Sequence, residues 1–134
     1  MKLVPCYLSN LVIDETAEQQ VLFVTATEGG RRFPIVIGQL EALAIDRAVK
    51  GARFRRPLTH DLLMEVIAAL GAQLVAVRIV DLQEGTFHAE LVLLTAPGTE
   101  ATIDCRPSDA LALLVRRPGT PLLVAEAVLA EAAQ

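Results

Sequence analysis

Three short polar segments carry the side chains suited to phosphate chemistry. Thr59-His60-Asp61 follows an arginine-rich stretch. Histidine is the side chain that exchanges a proton near neutral pH, and a neighbouring acid can orient its ring or help hold a metal. Asp104-Cys105-Arg106-Pro107-Ser108-Asp109 is the densest polar run of the chain. Its Arg106 has the planar fork that grips a carboxylate or a phosphate. Glu41 completes the set, because Glu41-Ala42-Leu43-Ala44-Ile45 recurs as Asp109-Ala110-Leu111-Ala112-Leu113, an offset of 68 from residue 41 to residue 109. Carboxylates with one histidine suit a Mg²⁺ or Mn²⁺ site on oxygen ligands, Asp104 and Asp109 being the metal candidates. The plainer reading stays open: Thr59 and Ser108 are N-caps, Asp61 and Asp109 complement helix dipoles, and Arg106 pairs internally with Asp109. A shared site requires His60 and Asp109 in one cleft. Nothing in the sequence favours a serine nucleophile: there is no G-x-S-x-G turn, and the only other histidine, His88, alternates in a strand.

The elements that must position these residues follow from periodicity. Residues 3–13, Gln20 to Thr27 and Arg32 to Ile37 have strand composition, and Pro34 marks an unpaired edge. Leu40, Leu43, Ala44, Ala48 and Val49 are spaced as one helix, which Gly51 stops. A loop over 52–58 leads to a second helix with Thr59 as N-cap and Leu62, Leu63, Val66, Ile67 and Leu70 as its apolar face. A hairpin over 74–95, a strand at Ala101 to Cys105 and a helix through Leu111 and Leu114 follow. Pro121 to Val124 is a last short strand and Glu126 to Ala132 a last helix. The fold class is therefore α+β: one domain, 1–134, made from a duplicated β-β-β-α unit (3–51 and 72–119), with mixed or antiparallel sheets packed against helices.

Composition bounds the function. Hydrophobic residues make up 53% and charged residues 21% of the 134, which excludes a disordered chain. No apolar run reaches the length of a membrane span, and the N-terminus lacks a signal-peptide pattern, so a cytoplasmic protein is expected. Cys6 and Cys105 belong to no metal-binding spacing and read as free thiols. The net charge of −4 repels nucleic acid in bulk, so binding would rest on the local patch Arg47, Lys50, Arg53, Arg55 and Arg56. With no Trp and one Tyr, the chain is poor in aromatics that stack on bases.

The segments Pro34-Ile35-Val36-Ile37-Gly38 with Glu41-Ala42, Arg56-Pro57-Leu58-Thr59-His60-Asp61-Leu62, and Ile103 to Ala112 together resemble the bifunctional nuclease family, first known as a bacterial and plant domain of unknown function. The resemblance covers nearly the whole chain. It implies a compact α+β domain, a homodimer, and cleavage of both DNA and RNA. On that reading His60, Asp61, Asp109 and Glu41 are catalytic, Arg55, Arg56, Arg106 and Ser108 bind substrate, and Asp104 and Asp109 hold a divalent cation. The alternative is a non-catalytic module that binds nucleic acid or another protein.

Overall fold

Leu22, Val24 and Ala26 on one strand, and Phe33, Ile35 and Ile37 on the next, are buried at every second position. This is the period-two signature of a sheet with one face on a core. The computed structural model describes residues 1–133, which run as β1 (Leu3–Val12), β2 (Gln19–Ala26), β3 (Arg32–Gly38), α1 (Gln39–Val49), α2 (Thr59–Ala69), β4 (Gln73–Gln83), β5 (Thr86–Leu94), β6 (Glu100–Cys105), α3 (Pro107–Leu114), β7 (Leu122–Ala125) and α4 (Glu126–Ala132). They form one α+β domain. The seven strands make a single mixed sheet in the order β3-β2-β1-β7-β4-β5-β6. Two antiparallel meanders, β1-β2-β3 and β4-β5-β6, flank the short β7, which pairs antiparallel with β1 and parallel with β4. Pro34 lies on the edge strand β3, where a missing N–H costs nothing on the outer side.

The sheet curls. Phe33 on β3 stacks on Phe87 of β5, near the other end of the strand order, with ring centroids 5.3 Å apart. The curl brings the junction from β3 into α1 close to the junction from β6 into α3, and α1 packs on α3. One surface cavity of about 440 Å³ is lined by residues of both junctions, Ile37, Gly38 and Glu41 from the first and Arg106 to Ser108 from the second. No helix among the described residues is long and apolar enough to cross a membrane.

The structure corrects the reading of α2. Leu62, Leu63, Val66 and Leu70, expected to face the core, are exposed, and no α2 residue is fully buried. The inward stripe is instead His60, Met64 and Ile67, spaced i, i+4, i+7. The helix lies at the rim of the curled sheet against α3 and β4, so a narrow stripe suffices to seat it, and that stripe contains a histidine. The caps are corrected too. Leu58 is the N-cap residue of α2, Thr59 its first helical residue, and Asp61 accepts the Leu58 N–H at 3.3 Å. Arg106 is the N-cap residue of α3, with Pro107 next, which places Ser108 inside the first turn and buried.

Arg31 clamps the turn before β3 to α4 by two hydrogen bonds to Glu126, at 3.1 and 2.8 Å. These bonds hold the Glu126 carboxyl below the usual carboxylate range. A carboxylate with a depressed folded pKa stabilises the fold above its unfolded pKa, and that contribution is lost as pH falls through the folded value. Urea unfolding across the acid range should therefore show a shallower loss of stability in Glu126→Gln than in wild type. Identical acid limbs would mean that the clamp contributes nothing.

Candidate functional site

The hand-over from β6 to α3 sets the first half of the site. Pro107 at the first helical position fixes the turn, so Asp109 falls in the first turn of α3, three residues after Arg106. The inward stripe of α2 sets the second half by pointing His60 at α3. The two meet: His60 Nε2 lies 2.9 Å from Asp109 Oδ1. Arg106 donates from Nε to Asp109 Oδ2 at 3.0 Å, and its Nη2 forms an ion pair with the same oxygen at 3.0 Å. Side-chain exposure rises outward along this chain, 14% for His60, 31% for Asp109 and 67% for Arg106. Because the carboxylate only accepts, Nε2 carries a proton, and in the neutral ring the lone pair is on Nδ1. Among the described residues no protein group hydrogen-bonds Nδ1. A histidine held this way by a carboxylate is oriented to take a proton at its other nitrogen.

His60, Asp109 and Arg106 border a cavity of about 630 Å³. Its floor is apolar, formed by Leu91 and Leu93 of β5 with Ile103 and Cys105 of β6, and α1 and α2 wall its sides. Glu41 and Arg47 add opposite charges from α1, and Arg116 adds a third cation. Glu41 folds back over Gly38 so closely that a Cβ at Gly38 would collide with its carboxylate. The glycine thus leaves room for the acid at the start of α1. Burial, then the negative charges of Asp109 and Asp104, push the Cys105 thiol up to about 11. It is protonated at neutral pH and is no thiolate nucleophile.

Residues 21–134 match the bifunctional nuclease domain family. The chain belongs to that family. Two uncharacterised proteins of Mycobacterium tuberculosis, one in each of two strains, are similar to it, 47% identical over 120 residues, which is 90% of this chain and 70% of each relative.

Within this bifunctional nuclease domain, the residues singled out from sequence separate into groups. His60, Asp109, Arg106 and Glu41 share the large cavity. Asp61 turns the other way: it receives Arg116 Nε at 2.7 Å and borders a neighbouring cleft of about 590 Å³ together with Arg55 and Arg56. Consecutive residues of α2 therefore make two bridges to the α3 region, His60 to Asp109 and Asp61 to Arg116. The acid that orients His60 is Asp109, 49 residues away, and not its sequence neighbour. Ser108 lines the cleft between the two junctions. Asp104 stands opposite Glu90 in the β5–β6 ladder, alternating with Ile103 and Cys105, and does not line the large cavity. Among the described residues no three His, Cys, Asp or Glu side chains are grouped to hold a metal ion, and both oxygens of Asp109 are already engaged, one by the His60 imidazole and the other by the Arg106 guanidinium. The donors therefore do not form a protein cage for a divalent cation. Arg116 has no motif to announce it, because its partner lies 55 residues away in sequence; only the clustering of Arg116 with Arg117 hinted at it.

The Asp61–Arg116 and Arg106–Asp109 ion pairs should differ in their contribution to stability. Arg116 is only 8% exposed and also donates to the Ala112 carbonyl at 2.8 Å. Asp61→Ala strands that guanidinium and should cost about 1–3 kcal/mol in urea unfolding. Arg106 is open to solvent, so its coupling to Asp109 in a double-mutant cycle should stay below about 1 kcal/mol. The reverse order would invert the assignment of which bridge is structural.

Proposed function

We propose that this domain hydrolyses phosphodiester bonds of DNA and RNA, with His60 moving the proton. The observation that supports the reading most is the 2.9 Å contact from His60 Nε2 to Asp109 Oδ1 at the border of an open cavity, with Arg106 on the other oxygen. Nδ1 takes a proton from the attacking water, or from the 2′-hydroxyl in RNA, as the new O–P bond forms. The P–O bond to the leaving oxygen then breaks, and that oxygen receives a proton from the imidazolium or from solvent. Asp109 stabilises the imidazolium in between. The outward N–H groups of Arg106 receive charge on the non-bridging oxygens. Glu41 helps to order the water, while Arg55 and Arg56 in the next cleft, with Ser108 beside Arg106, hold flanking phosphates. Mg²⁺ or Mn²⁺ held by Asp104 and Asp109 was the expectation from residue types. Asp104 does not line the cavity that Asp109 borders, which argues against that pair, so no step of this reading runs through a metal, and an EDTA arm tests the point directly.

The second reading, a non-catalytic module that binds nucleic acid or protein, draws support from the net charge of −4 and the apolar cavity floor. In either case the exposed stripe Leu62, Val66 and Leu70 on α2 is the surface on which we place a homodimer, since a twofold lays the same stripe against itself. Free thiols at Cys6 and Cys105 agree with a cytoplasmic setting.

Purified wild type should cleave plasmid DNA and RNA. His60→Ala should lose on the order of 10²–10⁴-fold in rate with an unchanged circular dichroism spectrum. Full activity in a folded His60→Ala protein would remove His60 from the mechanism. Activity that survives EDTA would place the chemistry on side chains alone, and activity lost to EDTA and restored by Mg²⁺ or Mn²⁺ would return a cation to the site.

A further inference from the structure

Four phenylalanines occur in the chain, and three of them are accounted for by packing. Phe33 and Phe87 stack in the core, and Phe23 is covered by the Arg32 guanidinium at 4.4 Å from its ring centroid. Phe54 is different. It stands on the loop between α1 and α2, 52% exposed, with solvent-exposed residues on both sides from Gly51 to Pro57. Its one cationic neighbour in register with the ring, Arg47, lies 6.0 Å from the centroid, at the outer limit of such contacts. About half of an apolar side chain thus stays in contact with water.

The surrounding charge is equally specific. Arg31, Arg78, Arg106 and Arg116 are each paired with a carboxylate. Arg47, Arg53, Arg55 and Arg56, the four arginines nearest Phe54 in the chain, take part in no ion pair among the described residues. Arg53, Phe54, Arg55 and Arg56 line one cleft of about 590 Å³, whose acids are Asp61, already neutralised by Arg116, and Glu65. Arg116 also borders the cavity that holds His60 and Asp109, as does Arg47. A cleft with unpaired arginines for phosphates, an exposed ring face for a base, and continuity with a proton-transferring histidine is the arrangement that tracks an unstacked strand. A duplex keeps its bases stacked inside and offers no face to Phe54.

We propose that Phe54 is a base-stacking platform, and that the strand presented to His60 is single-stranded nucleic acid running over the loop from Arg53 to Arg56. The inference rests on nucleic acid being the ligand but not on cleavage, so its test reads binding. Fluorescein-labelled oligothymidylate and a labelled duplex of equal length are titrated in a His60→Ala background, where cleavage is too slow to consume the probe during the titration. Phe54→Ala should weaken single-strand binding roughly 5- to 150-fold, the range for losing one base–aromatic stack, and leave duplex binding unchanged. Phe54→Trp should retain single-strand affinity, and its indole, alone in a chain without Trp, should be quenched by oligothymidylate and not by duplex. Equal losses on both probes, an unquenched indole, or no oligothymidylate binding at all would overturn the proposal. If Phe54 controls binding while wild type cleaves nothing, the platform stands and the nuclease reading falls.

Discussion

The carboxylate of Asp109 holds the site together. One oxygen takes the His60 imidazole from α2 and the other takes Arg106 from the turn into its own helix. Removing the first contact frees the imidazole to rotate, and removing the second frees the cation that faces solvent. The geometry demands that the N-terminal ends of two helices from distant parts of the chain meet. Much of the architecture serves that meeting. Pro107 sets the entry angle of α3, and the narrow stripe His60, Met64 and Ile67 sets the roll of α2.

The price of this arrangement is a helix with little apolar purchase. No residue of α2 is fully buried, so its placement depends on the narrow inward stripe together with the polar bridges at its start. The second bridge, Asp61 to the largely buried Arg116, anchors the same turn from the other side. Division of labour between adjacent residues follows: the exposed, loosely coupled end of the network faces the cavity, and the enclosed end keeps the helix in register. Meanwhile the core is closed by the curl of the sheet, with Phe33 against Phe87, and by α3 and α4, whose apolar residues are largely buried.

Much of this was legible in the sequence. Period-two burial on β2 and β3, the edge position of Pro34, and the order of strands and helices all follow from local pattern, while membership of the bifunctional nuclease domain family follows from the resemblance of three ordered motifs. Dense motifs marked Glu41, His60, Arg106 and Asp109, which the fold brings to the border of one cavity. What the sequence hid is long-range. The spacing of Leu62, Leu63, Val66 and Leu70 is a good helical stripe, but hydrophobicity alone does not say which of two stripes faces inward when the inner one contains a histidine. Thr59 and Ser108 have the chemistry of caps, yet the helices begin elsewhere, α3 because Pro107 takes the first helical position. Asp104 lies close to Asp109 in sequence, but strand alternation turns it off the cavity. Arg116 and Phe54 were passed over because each acquires meaning only from neighbours that folding supplies.

The site depends on Asp109 fixing the imidazole of His60. Long-range ¹⁵N–¹H correlation spectra of the histidine rings, recorded above the titration of the ring in wild type and Asp109→Asn, report this directly. Wild type should show neutral His60 as one tautomer, with the proton on Nε2 and a free lone pair on Nδ1, and Asp109→Asn should show that preference lost. A proton on Nδ1 in wild type, or spectra of His60 that do not change with the substitution, would contradict it.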